Sequence, residues 1–346
     1  MTRIQDVARR AAVSVTSVSN AINGRTDQMR KETLERIEAA IAELGFRPSH
    51  AARQLKTGHT AMLGLLVPSI ANPSFAALAR AVDVAAQKSY GYRVFLGNTY
   101  RQLENEESFI DDLLAQGVRG VIVVSAQVEQ EHFREALRKG VAMVNYDGRS
   151  TLRSSPSELA MDSVSMNNVE AGRLAAQHLI DRGCRNIAFV TESARTNSRT
   201  DKIEGFFSAV ADAEGVTSAV IEDRALAEYG DSEMAELGRS LAERISSMSQ
   251  SPDGIVAVND MLAIGMLAGF RSCGVRVPED ISIVGIDDIL LSSLVAPAIS
   301  SVSPPLPKMA QLMVDRLISR IADPSIPARE FLLPPKLIVR DSVIAR

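Results

Sequence analysis

The sequence is poor in the side chains that build metal centres, disulfide frameworks and covalent active sites. It has two cysteines, Cys184 and Cys273, which lie far apart and outside any metal-binding spacing, and four scattered histidines. So few cysteines are typical of a reducing compartment, and both thiols are expected to be inert. The sequence also lacks a phosphate-binding loop, a nucleophile elbow, a paired-histidine metal motif and a glycine-rich dinucleotide fingerprint. These absences predict a protein that is not an enzyme and that uses no cofactor and no metal.

Long apolar runs are absent as well. No apolar stretch approaches the roughly 20 residues that span a bilayer, and an acid among the first six residues argues against a secretory signal. We therefore expect a cytoplasmic protein with no membrane partner. The 346 residues predict two or three domains, and the 46% hydrophobic and 23% charged content is typical of a globular protein.

Charge is distributed unevenly along the chain. Residues 1–58 carry ten bases and six acids, whereas the whole chain has a net charge of −4. The first segment therefore has a net charge of +4 on a body of −8. A basic head on an acidic body favours a polyanionic partner for the head, although many solvated helices have a similar bias.

The head is predicted to contain three short helices, over 4–11, 15–22 and 31–44. Ser14 is a suitable N-cap for the second helix, and Gly45 a suitable C-cap for the third. A helix, a tight turn and a second helix within about 20 residues is the helix-turn-helix plan, in which the second helix enters the major groove of DNA. The pattern fits an ordinary three-helix bundle equally well.

If the head reads DNA, the second helix supplies the contacts. Thr16 can hydrogen-bond a base edge, Asn20 suits adenine, and Val15 could pack on a thymine methyl group. Ser17 and Ser19 suit phosphates, which position the protein without specifying sequence.

After residue 60 short apolar runs alternate with amphipathic helices. The predicted strands are 62–67, 93–97, 120–125, 141–146, 187–191, 254–258 and 281–286. The predicted helices are 75–89, 106–116, 169–182, 201–214, 232–248 and 260–273. This alternation predicts parallel sheets built from βαβ units. Its length favours two doubly wound lobes, and a ligand cleft usually lies between such lobes.

Several motifs, in order along nearly the whole chain, resemble the lactose-repressor (LacI) family of transcriptional regulators. They are IQDVARRAAVS at 4–14, VSNAING at 18–24, ELGFRP at 43–48, AARQLKTG at 51–58, GLLVP at 64–68, NPSF at 72–75 and VGIDD at 284–288. The resemblance implies a helix-turn-helix head at 1–46, a hinge at 47–58 and a two-lobed sensor, similar to periplasmic binding proteins, at 59–346. The implied function is that of a transcription regulator, expected to be a repressor, controlled by a small effector.

The resemblance also implies how such a regulator would bind DNA. Asn23 ends the recognition helix, and Leu55 takes the place of the hinge leucine that wedges into the minor groove and kinks the operator. Ala51 is small enough for two hinge helices to pack closely. A homodimer would read a palindromic operator. One departure is Asn20, where many relatives carry arginine, so the family's half-site contacts do not transfer unchanged.

By the same resemblance, the effector cleft is lined by residues at strand ends and adjoining loops. They are Ser74, Phe75, Asp147, Arg199, Lys202, Asn259 and Asp287. Two carboxylates, an amide and one or two cations beside an aromatic face suit a sugar or sugar derivative, with a nucleobase as the second choice. Arg199 and Lys202 straddle the family's usual arginine, and either could contact the ligand. Asp147 and Asp287 could instead cap turns, and Lys202 could be a solvated helix charge.

Two other classes of protein remain to be weighed. An enzyme is disfavoured by the missing motifs. A periplasmic sugar-binding protein would share the two-lobed body, but it would need an export signal and has no use for a basic three-helix head. The sequence leaves open the sign of the effector response, the operator, and dimer versus tetramer.

Overall fold

The computed structural model describes residues 2–22, 26, 29–46, 60–124, 131–148, 161–193, 196–224 and 233–346. It divides into two compact units, an amino-terminal unit, Met1–Thr60, and a carboxy-terminal unit, Ala61–Arg346. The predicted hinge, with Ala51 and Leu55, and the end of the recognition helix at Asn23 lie outside the described residues.

The amino-terminal unit contains the three predicted helices. They are α1 (Ile4–Ala11), α2 (Val15–Ile22) and α3 (Lys31–Glu43). Val7, Val18 and Ile37, one from each helix, are fully buried against one another. The Ser14 hydroxyl accepts a hydrogen bond from Ser17 N at 3.0 Å, which confirms the predicted cap of α2. Each short helix thus contributes apolar side chains to the packing, and the first turn of α2 stays exposed.

The carboxy-terminal unit is built from alternating strands and helices. Its strands are β1 (Met62–Val67), β2 (Arg93–Asn98), β3 (Gly120–Val123), β4 (Ala142–Tyr146), β5 (Asp162–Met166), β6 (Asn186–Glu192), β7 (Thr217–Asp223), β8 (Gly254–Ala257), β9 (Ser282–Ile286), β10 (Ser300–Ser303), β11 (Glu330–Leu333) and β12 (Lys336–Ile338). Its helices are α4 (Pro73–Tyr90), α5 (Leu103–Ala115), α6 (Glu131–Arg138), α7 (Asn168–Asp181), α8 (Asn197–Ala211), α9 (Glu233–Ser246), α10 (Asp260–Ser272) and α11 (Leu306–Ala322), and a short 3-10 helix, η1, spans Leu290–Ser293.

These strands form two sheets, one in each lobe. The strand order is β11-β5-β4-β3-β1-β2 in the first lobe and β12-β10-β9-β8-β6-β7 in the second. Neighbouring strands run parallel, except that β12 is antiparallel to β10. The central strands are buried on both faces because helices cover each sheet, as their apolar sequences predict. The predicted fold class, an all-α head with two doubly wound lobes, is confirmed.

This topology places all the parallel strands of one sheet with their carboxyl ends at one edge. The loops after β4, β8 and β9 therefore lie where an open α/β sheet binds its ligand. Among the described residues, no helix is long and apolar enough to span a bilayer.

Candidate DNA-reading helix and effector cleft

Helix α2 presents its first turn to solvent. Val15 is 43% exposed although it is apolar, and Thr16 is exposed as well. Ser17, Ser19 and Asn20 are half-buried. No acidic residue occurs in α2, so the helix presents no negative charge of its own to a phosphate backbone. The side chains of Val15 and Thr16 are therefore accessible to solvent at the start of a helix that carries no acid.

Helix α4 begins at the carboxyl side of β1, at the predicted NPSF motif. Asn72 caps the helix, with its side-chain oxygen accepting from Ser74 N at 3.0 Å. Pro73 takes the first helical position, where its missing N–H costs nothing. Ser74 and Phe75 follow in the first turn and are half-buried. The motif thus starts a helix and holds these two side chains at the end of the sheet.

Asp147 directly follows β4 and adopts a left-handed backbone conformation, with φ of 58°. Its Oδ1 accepts hydrogen bonds from Asn168 Nδ2 at 2.8 Å and from Ser165 Oγ at 3.0 Å. Both donors belong to the segment that leads from β5 into α7. The carboxylate is therefore fixed by the crossover between the lobes rather than only by its own turn.

Asp287 directly follows β9 and also has a positive φ, 115°. The pKa of its carboxyl is raised to about 7, mainly by burial. The charge of Lys202 and a hydrogen bond from Ser74 lower this pKa, whereas the charges of Asp260 and Asp147 raise it. Asp147 and Ser74 of the first lobe thus act electrostatically on a carboxyl of the second. Burial, with the charges of Asp147 and Asp287, also raises the pKa of Tyr146.

Of the two candidate cations, Lys202 is the one whose charge lowers the pKa of Asp287. Lys202 is 7% exposed and its Nζ lies 3.4 Å from the backbone oxygen of Val258, at the end of the strand region. Arg199 is 8% exposed, and its Nη2 lies 2.6 Å from Glu192 Oε2. Arg199 thus forms an internal ion pair, whereas the charge of Lys202 acts on the candidate effector carboxylate Asp287.

Asn259 caps α10, with its side-chain oxygen accepting from Leu262 N at 2.8 Å. This cap uses the oxygen, so the amide nitrogen is the atom suited to donate to a ligand. The structure accordingly brings Ser74, Asp147, Lys202 and Asp287 into electrostatic contact and sets Asn259 next to Val258, the residue that Lys202 contacts.

A cavity of about 310 Å³ opens beside Asp147, and its polar walls include residues that the sequence patterns missed. Ser165 and Asn168 line it from the crossover, Asp201 from α8 and Glu330 from β11. Ser165 lies in β5 and Asn168 begins α7 shortly after it, and β5 has no apolar run by which a sequence pattern could identify it. Among the described residues, no group of histidine, cysteine, aspartate and glutamate side chains is arranged to hold a metal.

Comparison with known proteins agrees with this geometry. The model of the bacterial regulatory proteins of the lacI family matches residues 3–49, and that of the periplasmic binding protein-like domain matches residues 176–343. Both matches define a DNA-binding regulator with a two-lobed effector-binding domain.

The relatives extend this match over the full chain. The ribose operon repressor of Halalkalibacterium halodurans is 32% identical over 99% of this chain and 97% of its own length. The HTH-type transcriptional repressor PurR of Aliivibrio fischeri is 32% identical over 100% of this chain and 99% of its own. A LacI family transcriptional regulator from Enterococcus faecium, solved with bound ribose, is 25% identical with a TM-score of 0.70, over 82% of this chain and 99% of its own. The chain belongs to the lacI family of bacterial regulatory proteins.

Proposed function

We propose that the chain is a homodimeric transcriptional repressor whose affinity for a palindromic operator is set by a sugar or sugar derivative bound between the two lobes. The observation that carries the effector half of this proposal is the electrostatic cluster of Asp147, Lys202 and Asp287. It joins carboxylates that follow a strand in each lobe to a lysine of α8. A ligand that bridges these groups changes the balance between open and closed lobes, because it binds one arrangement more tightly than the other.

The chemistry of the cluster favours a polyhydroxylated ligand. Sugar hydroxyls both donate and accept, so they satisfy carboxylates, an ammonium group and an amide together. Two relatives support ribose as the first probe, since one is named a ribose operon repressor and another was solved with ribose. The proposed effector contacts are Ser74, Phe75, Asp147, Lys202, Asn259 and Asp287. Of the two candidate cations we favour Lys202 over Arg199, because Arg199 is ion-paired with Glu192.

The DNA-reading half of the proposal assigns base contacts to Thr16 and Asn20, a thymine-methyl contact to Val15 and phosphate contacts to Ser17 and Ser19. Their support is the exposed first turn of α2 and its lack of acids. Asn23, Ala51 and Leu55 remain predictions from the family resemblance. We propose the domain bounds 1–46, 47–58 and 59–346 on the same basis.

Two further assignments follow from the class of protein. A regulator of operator DNA works in the cytoplasm of a bacterium, and we propose that location. We also propose that the chain is not an enzyme, because Asp147, Lys202 and Asp287 are explained as ligand contacts and the catalytic motifs are missing from the sequence.

A thermal-shift screen of the purified full chain tests the effector proposal. D-ribose and related sugars are expected to raise the melting temperature in a concentration-dependent way, because a ligand of the native state stabilises it. Asp287→Asn should remove the shift, whereas Asp280→Asn, an exposed aspartate paired with Arg276 in the same lobe, should keep it. The same screen includes nucleobases, which are the second choice of ligand class. A shift by nucleobases and none by sugars would replace the ligand class proposed here.

A further inference from the structure

The carboxylate of Asp260 is completely buried at the start of α10, with 0% exposure. Its Oδ2 accepts from Ile289 N at 2.9 Å and from Ser292 Oγ at 2.6 Å, and its Oδ1 accepts from Ser301 Oγ at 2.7 Å. The pKa of Asp260 is raised to about 6, because burial outweighs these three hydrogen bonds, which lower it. The hydrogen bonds from these neutral donors favour the ionised form of Asp260.

Those donors surround the turn that carries the candidate effector carboxylate. Asp287 and the next residue, Asp288, have φ of 115° and 50°, a conformation that side chains other than glycine rarely adopt. Such a turn persists only where its surroundings fix it. Ser301 Oγ accepts from Asp288 N at 3.0 Å while it donates to Asp260. The following residue, Ile289, donates directly to the same carboxylate, so Asp260 holds the turn from its carboxyl side.

Close approach of the backbone is part of this arrangement. A Cβ added at Gly285 would lie 2.1 Å from Asp260 Oδ1, well inside contact distance. Glycine at this position lets β9 run directly against the carboxylate. The glycine and the two aspartates of the VGIDD motif therefore form one turn that packs against Asp260 of α10.

The same carboxylate reaches a surface segment. Ser292 belongs to η1, and its neighbours Leu290 and Leu294 are 74% and 68% exposed. Ser292 N donates to Ile289 O at 3.0 Å, so Ile289 and Ser292 are hydrogen-bonded to each other as well as to Asp260. A single buried group thus contacts the turn of Asp287 on one side and an exposed apolar segment on the other.

We propose that Asp260 is a positioning residue that fixes the Asp287–Asp288 turn and couples it to the exposed segment Leu290–Leu294. The inference deepens the proposed function, on which it rests for the role of Asp287 as an effector contact. The coupling itself is a property of the ligand-free protein. Movement of the turn on effector binding would reach the surface segment through Asp260 and its hydrogen bonds to Ile289 and Ser292.

The test uses the full chain without any ligand, so that its failure is separate from failure of the sugar proposal. Asp260→Asn keeps the size of the side chain but replaces one acceptor oxygen with a donor. NMR would follow the titration of the Asp287 carboxyl and the hydrogen exchange of the Ile289 and Ser292 amides. Asp280→Asn is the matched control, because it neutralises an exposed aspartate of the same lobe.

In Asp260→Asn the pKa of Asp287 should fall below about 7, since the charge of Asp260 raises it. Exchange at Ile289 and Ser292 should accelerate together, by at least about tenfold, because a buried hydrogen bond to a charged group is lost. Ser301→Ala removes only the bridging hydroxyl and should accelerate hydrogen exchange at the Asp288 amide. This variant tests the proposal if Asp260→Asn does not fold. Acceleration confined to Ser292, or spread evenly over the whole chain, would overturn the coupling.

Discussion

Arg199 and Glu192 form an ion pair in the second lobe, with 2.6 Å between Nη2 and Oε2 and less than a fifth of either side chain exposed. One turn further along α8, Lys202 is the cation whose charge lowers the pKa of Asp287. The sequence left these two cations as equal candidates for the ligand. We favour Lys202 as the ligand contact, because Arg199 is ion-paired with Glu192.

The two cations should therefore respond differently to replacement. Lys202→Met should raise the pKa of Asp287 above about 7, since the lysine charge that lowers it is lost. Arg199→Met should leave that pKa unchanged and lower the free energy of unfolding by about 3 kcal/mol, because it leaves Glu192 buried and unpaired. NMR titration and denaturant unfolding of both variants measure the two effects. A shift of the Asp287 pKa in Arg199→Met alone would reverse the assignment.

Effector affinity should depend on pH through Asp287. Its carboxyl is ionised above about pH 7 and protonated below it. A sugar hydroxyl that donates to the carboxylate would lose this acceptor on protonation, so affinity should fall as pH decreases below 7. For a ligand that requires the ionised form, the fall approaches tenfold per pH unit. Titration calorimetry with D-ribose between pH 5.5 and 8.5 measures the profile. Asp287→Asn should bind weakly at every pH, and a slope retained in that variant would assign the proton to another group.

Glu106 on α5 predicts a second pH effect, on stability. Burial raises its pKa to about 7, and its neighbour His132 on α6, 3.4 Å away, has its pKa lowered by burial. The folded state then binds more protons than the unfolded state between the ordinary pKa of 4.5 and about 7. Stability contributed by protonated Glu106 is present at low pH and is lost as pH rises through this window.

Glu106→Gln should therefore stabilise the protein above pH 7, by as much as about 3 kcal/mol, and should have little effect at pH 4. Urea unfolding at the two pH values measures the difference. Glu107→Gln, an exposed neighbour on the same helix, is the control and should change neither value by more than about 0.5 kcal/mol. Equal effects of Glu106→Gln at both pH values would show that the buried carboxyl titrates normally.

Operator recognition should depend on the exposed turn of α2. Thr16→Ala and Asn20→Ala should each weaken binding to the specific site by about 1–3 kcal/mol, because each loses contacts to a base edge. Neither change removes a charge, so the dependence of binding on salt concentration should stay the same. Ala39→Ser, on the exposed side of α3, should bind as the parent does. Fluorescence anisotropy at several salt concentrations measures both the affinity for the specific site and its dependence on salt.

The sequence predicted the parts of the fold whose side chains follow one simple period. Helices α1, α2 and α3 and the central strands β1, β4, β8 and β9 lie where their apolar patterns place them. Strand β5, Asp162–Met166, was missed because it is entirely buried although three of its five residues are polar. Its Asp162 accepts hydrogen bonds from Arg316 at 2.9 Å and from Arg329 N at 2.8 Å, so tertiary partners satisfy a polar strand that local pattern cannot identify.

In the candidate site, too, sequence patterns identified some residues and missed others. Asp147, Asn259 and Asp287 could be proposed because each follows a recognisable strand or lies in a family motif. Asn168 and Asp260 could not, since their significance comes from hydrogen bonds to residues 21 and 29 or more positions away. The choice between Arg199 and Lys202 likewise depended on Glu192, a residue that no sequence pattern distinguished.

The most direct test of the account is selection of DNA sites by the full chain from a random-sequence pool, followed by titration of the selected site with and without D-ribose. The account predicts that one palindromic sequence is enriched, that binding to it outcompetes excess unrelated DNA, and that the sugar changes its affinity. A pool that yields no preferred sequence, or a selected site whose affinity is the same at every sugar and nucleobase concentration, would contradict a ligand-controlled operator-binding repressor.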